Sequence, residues 1–151
     1  YDLFALLDDL EEQMTVYRPD SEMSRVNRNA ARGPVQVESR LFDLLQLAQR
    51  VHADTGGCFD AAIGPLLRAW GFFRPPRRVP APEELAALRW GWSHVVLGEQ
   101  RTVQFTTPGI EINLGSIGKG YALDRLVERL THRWKIPTAL LHGGSSSLYA
   151  K

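Results

Sequence analysis

The stretch NLGSIGKGYALD, residues 113–124, places three glycines and a lysine at the predicted start of a helix. Gly115 and Gly118 would let the chain enter that helix with unpaired backbone N–H groups, which commonly bind phosphate. Lys119 is one of only three lysines among 18 basic residues. A cation at this end of a helix is unfavourable by about 0.3–1 kcal/mol unless an anion is present. The pattern therefore indicates a site for a phosphorylated ligand.

Two common glycine motifs do not explain this stretch. A P-loop requires a glycine five positions before Gly118 and a Ser or Thr after the lysine, whereas Asn113 and Gly120 stand there. The order G-x-x-G-x-G also differs from the dinucleotide fingerprint. A purely structural interpretation, with glycines for close helix packing and Lys119 in solvent, stays open on local chemistry alone.

Three further segments carry residue types suited to ligand binding. In TGGCFD, residues 55–60, Asp60 either caps a turn through its carboxylate, the commoner use, or binds a ligand. Cys58 has no histidine base near it in sequence and is predicted to be a small buried hydrophobe. Tyr17 either stacks on a planar ligand or packs over a helix end. The turn HGGSSS, residues 142–147, offers backbone N–H and hydroxyl groups.

Apolar spacing predicts the elements that position these segments. Amphipathic helices are expected over 1–14, from a cap at Ser39 to the glycines at 56–57, and from Gly118 onward, with a short helix capped by Ser21. SHVVL and TVQFT predict a hairpin. IEINL (110–114) and TALLH (138–142) predict strands that form a crossover unit with the last helix. The predicted fold class is α+β with mixed helices and sheet, as one domain over residues 1–151.

Composition excludes several classes of protein. The chain has 151 residues, 44% of them hydrophobic, and a net charge of +1 without a dense basic run, so no nucleic-acid partner is expected. The single cysteine excludes an internal disulfide, and the four histidines are too scattered for a zinc site. No apolar run is long enough to span a membrane. Because the sequence begins inside a helical pattern and stops after a strand and a turn, we expect a fragment cut at both ends.

The order of these segments resembles one family. TVYRPDSEMSRVN, DTGGCFDAAIGPLLRAWGF, INLGSIGKGYALDRLVERL and LLHGGSSSLYA together resemble the FAD:protein FMN transferases, the ApbE-type flavin transferases. The resemblance implies an incomplete, T-fold-like domain that uses FAD and Mg²⁺ and transfers the FMN moiety of FAD to a threonine hydroxyl of a target protein, releasing AMP. It implies a target with a flavinylation threonine motif, a subunit of a membrane redox complex, and a periplasmic or extracytoplasmic location, with or without a lipid anchor.

The resemblance also implies site residues. Ser116 is similar in position to a residue whose main-chain carbonyl binds Mg²⁺. The residues expected to contact FAD are Tyr17 beside the flavin, Cys58, Phe59 and Asp60 on the adenine side, Lys119 in the glycine loop, and Gly143 and Gly144 near the ligand.

The sequence departs from the family pattern in places. Cys58 stands where alanine is more usual, and Ser145 follows the glycine pair where many members have Asp or Asn. The segment with the catalytic base and the remaining Mg²⁺ ligands are expected beyond Lys151, so the catalytic residues are unknown. An FAD-binding or FAD-hydrolysing protein without flavin transfer is the alternative.

Overall fold

The computed structural model contains both helices and antiparallel strands, and it describes residues 2–73 and 76–151. The mixed arrangement confirms the predicted α+β class. The helices are α1 (Asp2–Met14), α2 (Glu22–Asn29), α3 (Ser39–Asp54), α4 (Gly64–Ala69), α5 (Pro82–Ala87) and α6 (Gly118–His132). The strands are β1 (Val35–Gln36), β2 (Val95–Gly98), β3 (Thr102–Phe105), β4 (Leu140–His142) and β5 (Leu148–Ala150). No helix in these ranges is long and apolar enough to cross a membrane.

The long helices form where the apolar spacing predicted them. Leu10 of α1 and Leu44 of α3 are fully buried in the core, and Leu126 of α6 is also buried. Ser21 caps α2 as predicted, because its Oγ accepts a 3.0 Å hydrogen bond from the Ser24 N–H. The predicted cap of α3 at Ser39 is wrong. The carboxylate of Glu38 accepts from the Arg40 N–H at 2.9 Å, so Ser39 becomes the first helical residue.

Two small antiparallel sheets contain the strands. The first has the order β1-β3-β2, with Val35 opposite Val103 and Val95 opposite Phe105, and its β2–β3 hairpin was predicted. The second pairs β4 with β5, with Leu141 opposite Tyr149. The sequence predicted β4 but not β5.

The segment 110–114 is not a strand, contrary to the prediction. Its apolar residues alternate inward, since Ile110, Ile112 and Leu114 are all buried. Its backbone N–H and carbonyl groups, however, do not form the regular hydrogen bonds of a β-sheet. The Glu111 carbonyl accepts from the Gly64 N–H at 2.9 Å, and the Asn113 N–H donates to the carbonyl of residue 61 at 2.8 Å. The predicted crossover unit is therefore wrong too, because 110–114 joins no sheet and β4 pairs with β5 alone in the described ranges.

The helix α6 is held against α1 and the β4–β5 sheet. Gly118 begins α6 close to Met14: a Cβ placed on Gly118 would lie 3.6 Å from the Met14 Sδ. Leu123 and Leu126 of α6 belong to the same core cluster as Leu6 and Leu10 of α1. This packing fixes where the N-terminus of α6 emerges at the surface.

Candidate functional site

A tight loop connects the segment 110–114 to α6. The Leu114 carbonyl accepts from the N–H groups of Ile117 and Gly118, at 3.1 and 2.7 Å, and the Asn113 Oδ1 accepts from the Gly115 N–H at 2.8 Å. Ile117 stands at the N-cap position, and no side chain caps the helix there. The positive end of α6 is thus left available to an anion.

The β4–β5 turn lies beside this helix end. A Cβ placed on Gly143 would be 3.8 Å from the Lys119 Cβ and 3.9 Å from Leu123 Cδ1. The turn is closed by the Gly143 N–H, which donates to the Ser147 carbonyl at 2.9 Å. Gly144 has a φ of +72°, a conformation that favours glycine. The fold therefore brings Gly143 next to Lys119, which lies 24 positions earlier in the sequence, and Gly144 follows in the same turn.

The surface around this group is open. Lys119, Ser116 and Gly144 are exposed. A Cβ placed on Gly120 or on Gly144 would have no atom within 4 Å outside its own neighbourhood. Space for a ligand thus exists over the first turn of α6. The backbone N–H groups of that turn and the ammonium group of the exposed Lys119 are donor types that suit a diphosphate.

The TGGCFD segment forms a turn at the end of α3. Gly56 and Gly57 have φ values of +59° and +84°, which end the helix as predicted. Cys58 follows them on the surface and is exposed, so the prediction of a buried cysteine is wrong. The two glycines carry the chain away from the core before Cys58, and the nearest core residue, Ala61, comes only three positions later.

Asp60 is bonded within the protein. Its carboxylate accepts from the N–H groups of Ala62 at 2.7 Å and Trp92 at 2.8 Å, and only 8% of the side chain is exposed. The His52 Nδ1 lies 3.4 Å from the same carboxylate and 2.9 Å from the Phe59 carbonyl. The turn-capping use of Asp60, left open by the sequence, is present in the structure. Its contact with adenine, together with those of Cys58 and Phe59, stays a prediction.

Tyr17 lines a cavity of about 850 Å³ between α2, α4, α5 and residues 109–111. Its side chain is 72% exposed and meets the Phe73 ring edge-on, with centroids 5.8 Å apart and planes at 61°. Among the described residues, the walls of this cavity include Tyr17 but no other predicted site residue. An exposed aromatic wall over a cavity of this size suits a planar ring system.

An ion pair supports this aromatic wall. Arg68 donates to both carboxylate oxygens of Glu111, with Nη2 at 2.9 and 3.0 Å from them, while its Cζ lies 5.2 Å from the Phe73 ring centroid. Sequence reasoning missed Arg68, Glu111 and Phe73. No spacing rule connects them, because 43 positions separate the two ion-pair partners.

A second ion pair borders the same cavity. Arg78 and Glu84 both line it and are hydrogen-bonded to each other, and the hydrogen bond from Arg78 lowers the pKa of the Glu84 carboxyl below its ordinary value. Both cavity ion pairs join residues of α4 or α5 to loops, so they fix the outline of the cavity.

The described residues contain no cluster of three His, Cys, Asp or Glu side chains that could hold a metal ion. Ser116 of the glycine loop is an exposed residue, and its peptide carbonyl is the donor predicted for a metal ion. Mg²⁺ accepts such oxygens and fills the rest of its octahedral shell with carboxylates, phosphates and water. The donors present fit one position of a magnesium shell, beside the place suited to a diphosphate.

The chain thus has an α+β fold whose uncapped, glycine-rich helix end at Lys119 suits a phosphorylated ligand. The model of the ApbE family matches residues 2–150, and the chain belongs to that family.

Relatives and solved structures agree with this membership. The FAD:protein FMN transferases of Haemophilus influenzae and Vibrio cholerae are 33% and 34% identical to this chain, each over 83% of it. The flavinyl transferase ApbE of Pseudomonas stutzeri, in its apo form, superposes with a TM-score of 0.91 at 27% identity over 99% of this chain. A mutant flavin transferase ApbE from Vibrio cholerae gives 0.90 at 30% identity over the same share.

The chain is shorter than these proteins. It spans 39% and 38% of the two curated relatives and 48% and 49% of the two solved chains. The fold is therefore that of part of the ApbE flavin transferase structures.

Proposed function

We propose that this chain serves FAD:protein FMN transfer, by binding FAD and presenting its diphosphate to the hydroxyl of a threonine in a target protein. The oxygen of that hydroxyl attacks the phosphorus on the FMN side, the bond to the bridging oxygen breaks, AMP leaves, and the hydroxyl proton passes to a base. The observation that carries the proposal is the uncapped helix end with Lys119 beside Gly143. The proposal is supported by the two curated relatives that match these segments, because both are named FAD:protein FMN transferase.

The two halves of FAD would occupy different parts of the surface. The diphosphate rests on the first turn of α6, where N–H groups and the Lys119 ammonium hold its charge. The flavin ring lies against Tyr17 over the 850 Å³ cavity. Positioning of the two reactants and stabilisation of negative charge are what such a reaction needs most from a protein.

Magnesium is part of the proposal. The Ser116 carbonyl is the one ligand we assign to it in this chain, and Mg²⁺ would neutralise charge on the diphosphate when bound. We propose that the other ligands and the base come from protein segments that the curated relatives have and this chain does not span. From the same family resemblance we propose that the target is a subunit of a redox complex that carries a flavinylation threonine motif. We also propose a periplasmic or extracytoplasmic location.

The test is FAD affinity of Lys119→Ala, measured by calorimetry at low and moderate salt. We expect binding about tenfold weaker than in the unmodified chain and a flatter dependence on salt, because one charge-assisted contact to the diphosphate is lost. Lys135→Ala, which removes a lysine beyond the other end of α6, is the matched control. Equal affinities in the two variants would count against the site.

Product analysis separates the activities. Covalent flavin on a threonine-bearing target, seen by mass spectrometry, indicates transfer. Release of AMP and FMN without a labelled protein indicates an FAD-hydrolysing enzyme, and bound FAD without either product indicates a binding protein.

A further inference from the structure

A second cavity, of about 720 Å³, lies between α1, α3 and α6. Among the described residues it shares none with the lining of the Tyr17 cavity. We call it the arginine cavity, because most of its lining is cationic. It is lined by Leu6, Arg40, Arg125, Glu128, Arg129, His132 and Arg133.

The helix dipole explains only part of this cationic lining. Arg129 and His132 lie in the last turn of α6, where cations are favourable. Arg125 lies near the middle of α6, beyond the reach of that effect. Arg40 is the second residue of α3, at the end of a helix where a cation is unfavourable. The cations from α3 and α6 nevertheless face one space.

Two arginines of the cavity share one carboxylate. A single carboxylate oxygen, Asp2 Oδ1, accepts from both Arg129 and Arg133, with their Nη1 atoms at 2.8 and 3.1 Å. Two guanidinium groups therefore share one carboxylate. A planar guanidinium group has five N–H donors in a fork, so each of these two keeps donors for a further acceptor.

The other two arginines each have one carboxylate partner. The Arg40 Nε lies 3.3 Å from Glu38 Oε2, and the Arg125 Nη2 lies 2.6 Å from Glu128 Oε1. The Arg125 guanidinium group also stacks over the Tyr121 ring, with Cζ 4.8 Å from the ring centroid. Four guanidinium groups are thus directly paired with only three carboxylates, those of Asp2, Glu38 and Glu128.

We propose that the arginine cavity binds a phosphate group, as free phosphate or as the headgroup of an anionic lipid. Phosphate is an anion, and its oxygens match the geometry of several guanidinium forks at once. Chloride lacks the oxygens for bidentate contacts. The site is distinct from the helix end at Lys119, and its existence does not depend on the proposed function.

The test follows the arginine Nε–H signals of the isotope-labelled chain by NMR while inorganic phosphate is added at constant ionic strength. We expect the signals of Arg40 and Arg125 to shift together with one dissociation constant. In Arg40→Gln and in Arg125→Gln this affinity should fall about tenfold. The matched control is Arg50→Gln, an exposed residue of α3 outside the cavity, which should bind phosphate as the unmodified chain does.

Two outcomes would overturn the proposal: no movement of these signals with phosphate, or the same affinity in Arg40→Gln as in Arg50→Gln. If Arg125→Gln fails to fold, Arg125→Lys keeps the charge without the fork and should bind phosphate with intermediate affinity.

A sedimentation assay distinguishes a lipid headgroup from free phosphate as the natural ligand. It compares binding to phosphatidylglycerol vesicles with binding to phosphatidylcholine vesicles. Binding that Arg40→Gln reduces indicates a lipid headgroup, whereas free phosphate binding alone indicates a soluble ligand. FAD affinity in Arg40→Gln should be unchanged, which separates this site from the one at Lys119.

Discussion

Asn27 of α2 hydrogen-bonds both backbone groups of Ile112, 85 positions later in the chain. Its Nδ2 donates to the Ile112 carbonyl and its Oδ1 accepts from the Ile112 N–H, each at 2.9 Å. A side-chain amide thereby takes the place that a neighbouring strand would have. This clamp holds the segment that leads into the glycine loop.

Asn27→Ala should lower the free energy of unfolding by about 2–4 kcal/mol, because the N–H and carbonyl groups of the buried Ile112 lose their partners. Urea unfolding followed by circular dichroism measures the change. Asn29→Ala, whose amide bonds an exposed carbonyl on the same helix, should change stability by less than about 0.5 kcal/mol. Equal losses in the two variants would contradict the clamp.

Gly120→Ala should separate stability from ligand binding. The variant should be more stable by about 0.5–1 kcal/mol, because Gly120 lies in α6 and a Cβ there meets nothing within 4 Å. If the diphosphate rests on this turn, the added methyl group should weaken FAD binding about tenfold. Thermal unfolding and calorimetry on one preparation give both values. Gly33→Ala, also in open space, should leave FAD affinity unchanged, and an unchanged affinity in Gly120→Ala would contradict the placement.

Asp60→Asn should destabilise the fold by about 2–3 kcal/mol. The two carboxylate oxygens each accept from a backbone N–H group. An asparagine has only one such oxygen, so its NH₂ group would face the other N–H and that hydrogen bond would be lost. Chemical denaturation measures the loss, and the exposed Asp54→Asn at the end of α3 is the control. The same folded variant tests the predicted adenine contact. Weaker binding of FAD with unchanged FMN binding would support that contact, and equal losses would contradict it.

Glu38 should make stability depend on acid pH. Burial raises the pKa of its carboxyl, but hydrogen bonds from Ser39, Gln13 and the Arg40 N–H outweigh burial and lower the pKa to about 2 from 4.5. A group whose pKa is lower in the folded state stabilises the protein above its unfolded pKa. That contribution is present above about pH 5 and is lost as the pH falls toward 2.

The test is urea unfolding of Glu38→Gln between pH 6 and the lowest pH at which the chain stays folded. The difference from the unmodified chain should shrink steadily as the pH falls below 5. The side chain is 41% exposed, so solvent screening limits the full effect to about 1 kcal/mol. Glu12→Gln on the exposed face of α1 is the control. A constant difference across this range would exclude the carboxylate as its cause.

The sequence by itself determined where the long helices lie, because helix formation depends largely on local forces, although it placed the cap of α3 one residue too late. Apolar spacing set the buried faces of α1, α3 and α6, Ser21 was recognisable as a cap, and the glycines after α3 ended that helix. The order of short motifs was enough to identify the family, since a motif needs no partner elsewhere in the chain.

Only the tertiary structure decided how distant segments meet. The alternation over 110–114 predicted a strand and could not show that Asn27, rather than a neighbouring strand, satisfies the backbone of Ile112. The sequence also could not predict that Cys58 is exposed or that Gly143 lies close to Lys119. Such contacts form between groups far apart in sequence, and nothing in the local preferences of either group encodes the partner.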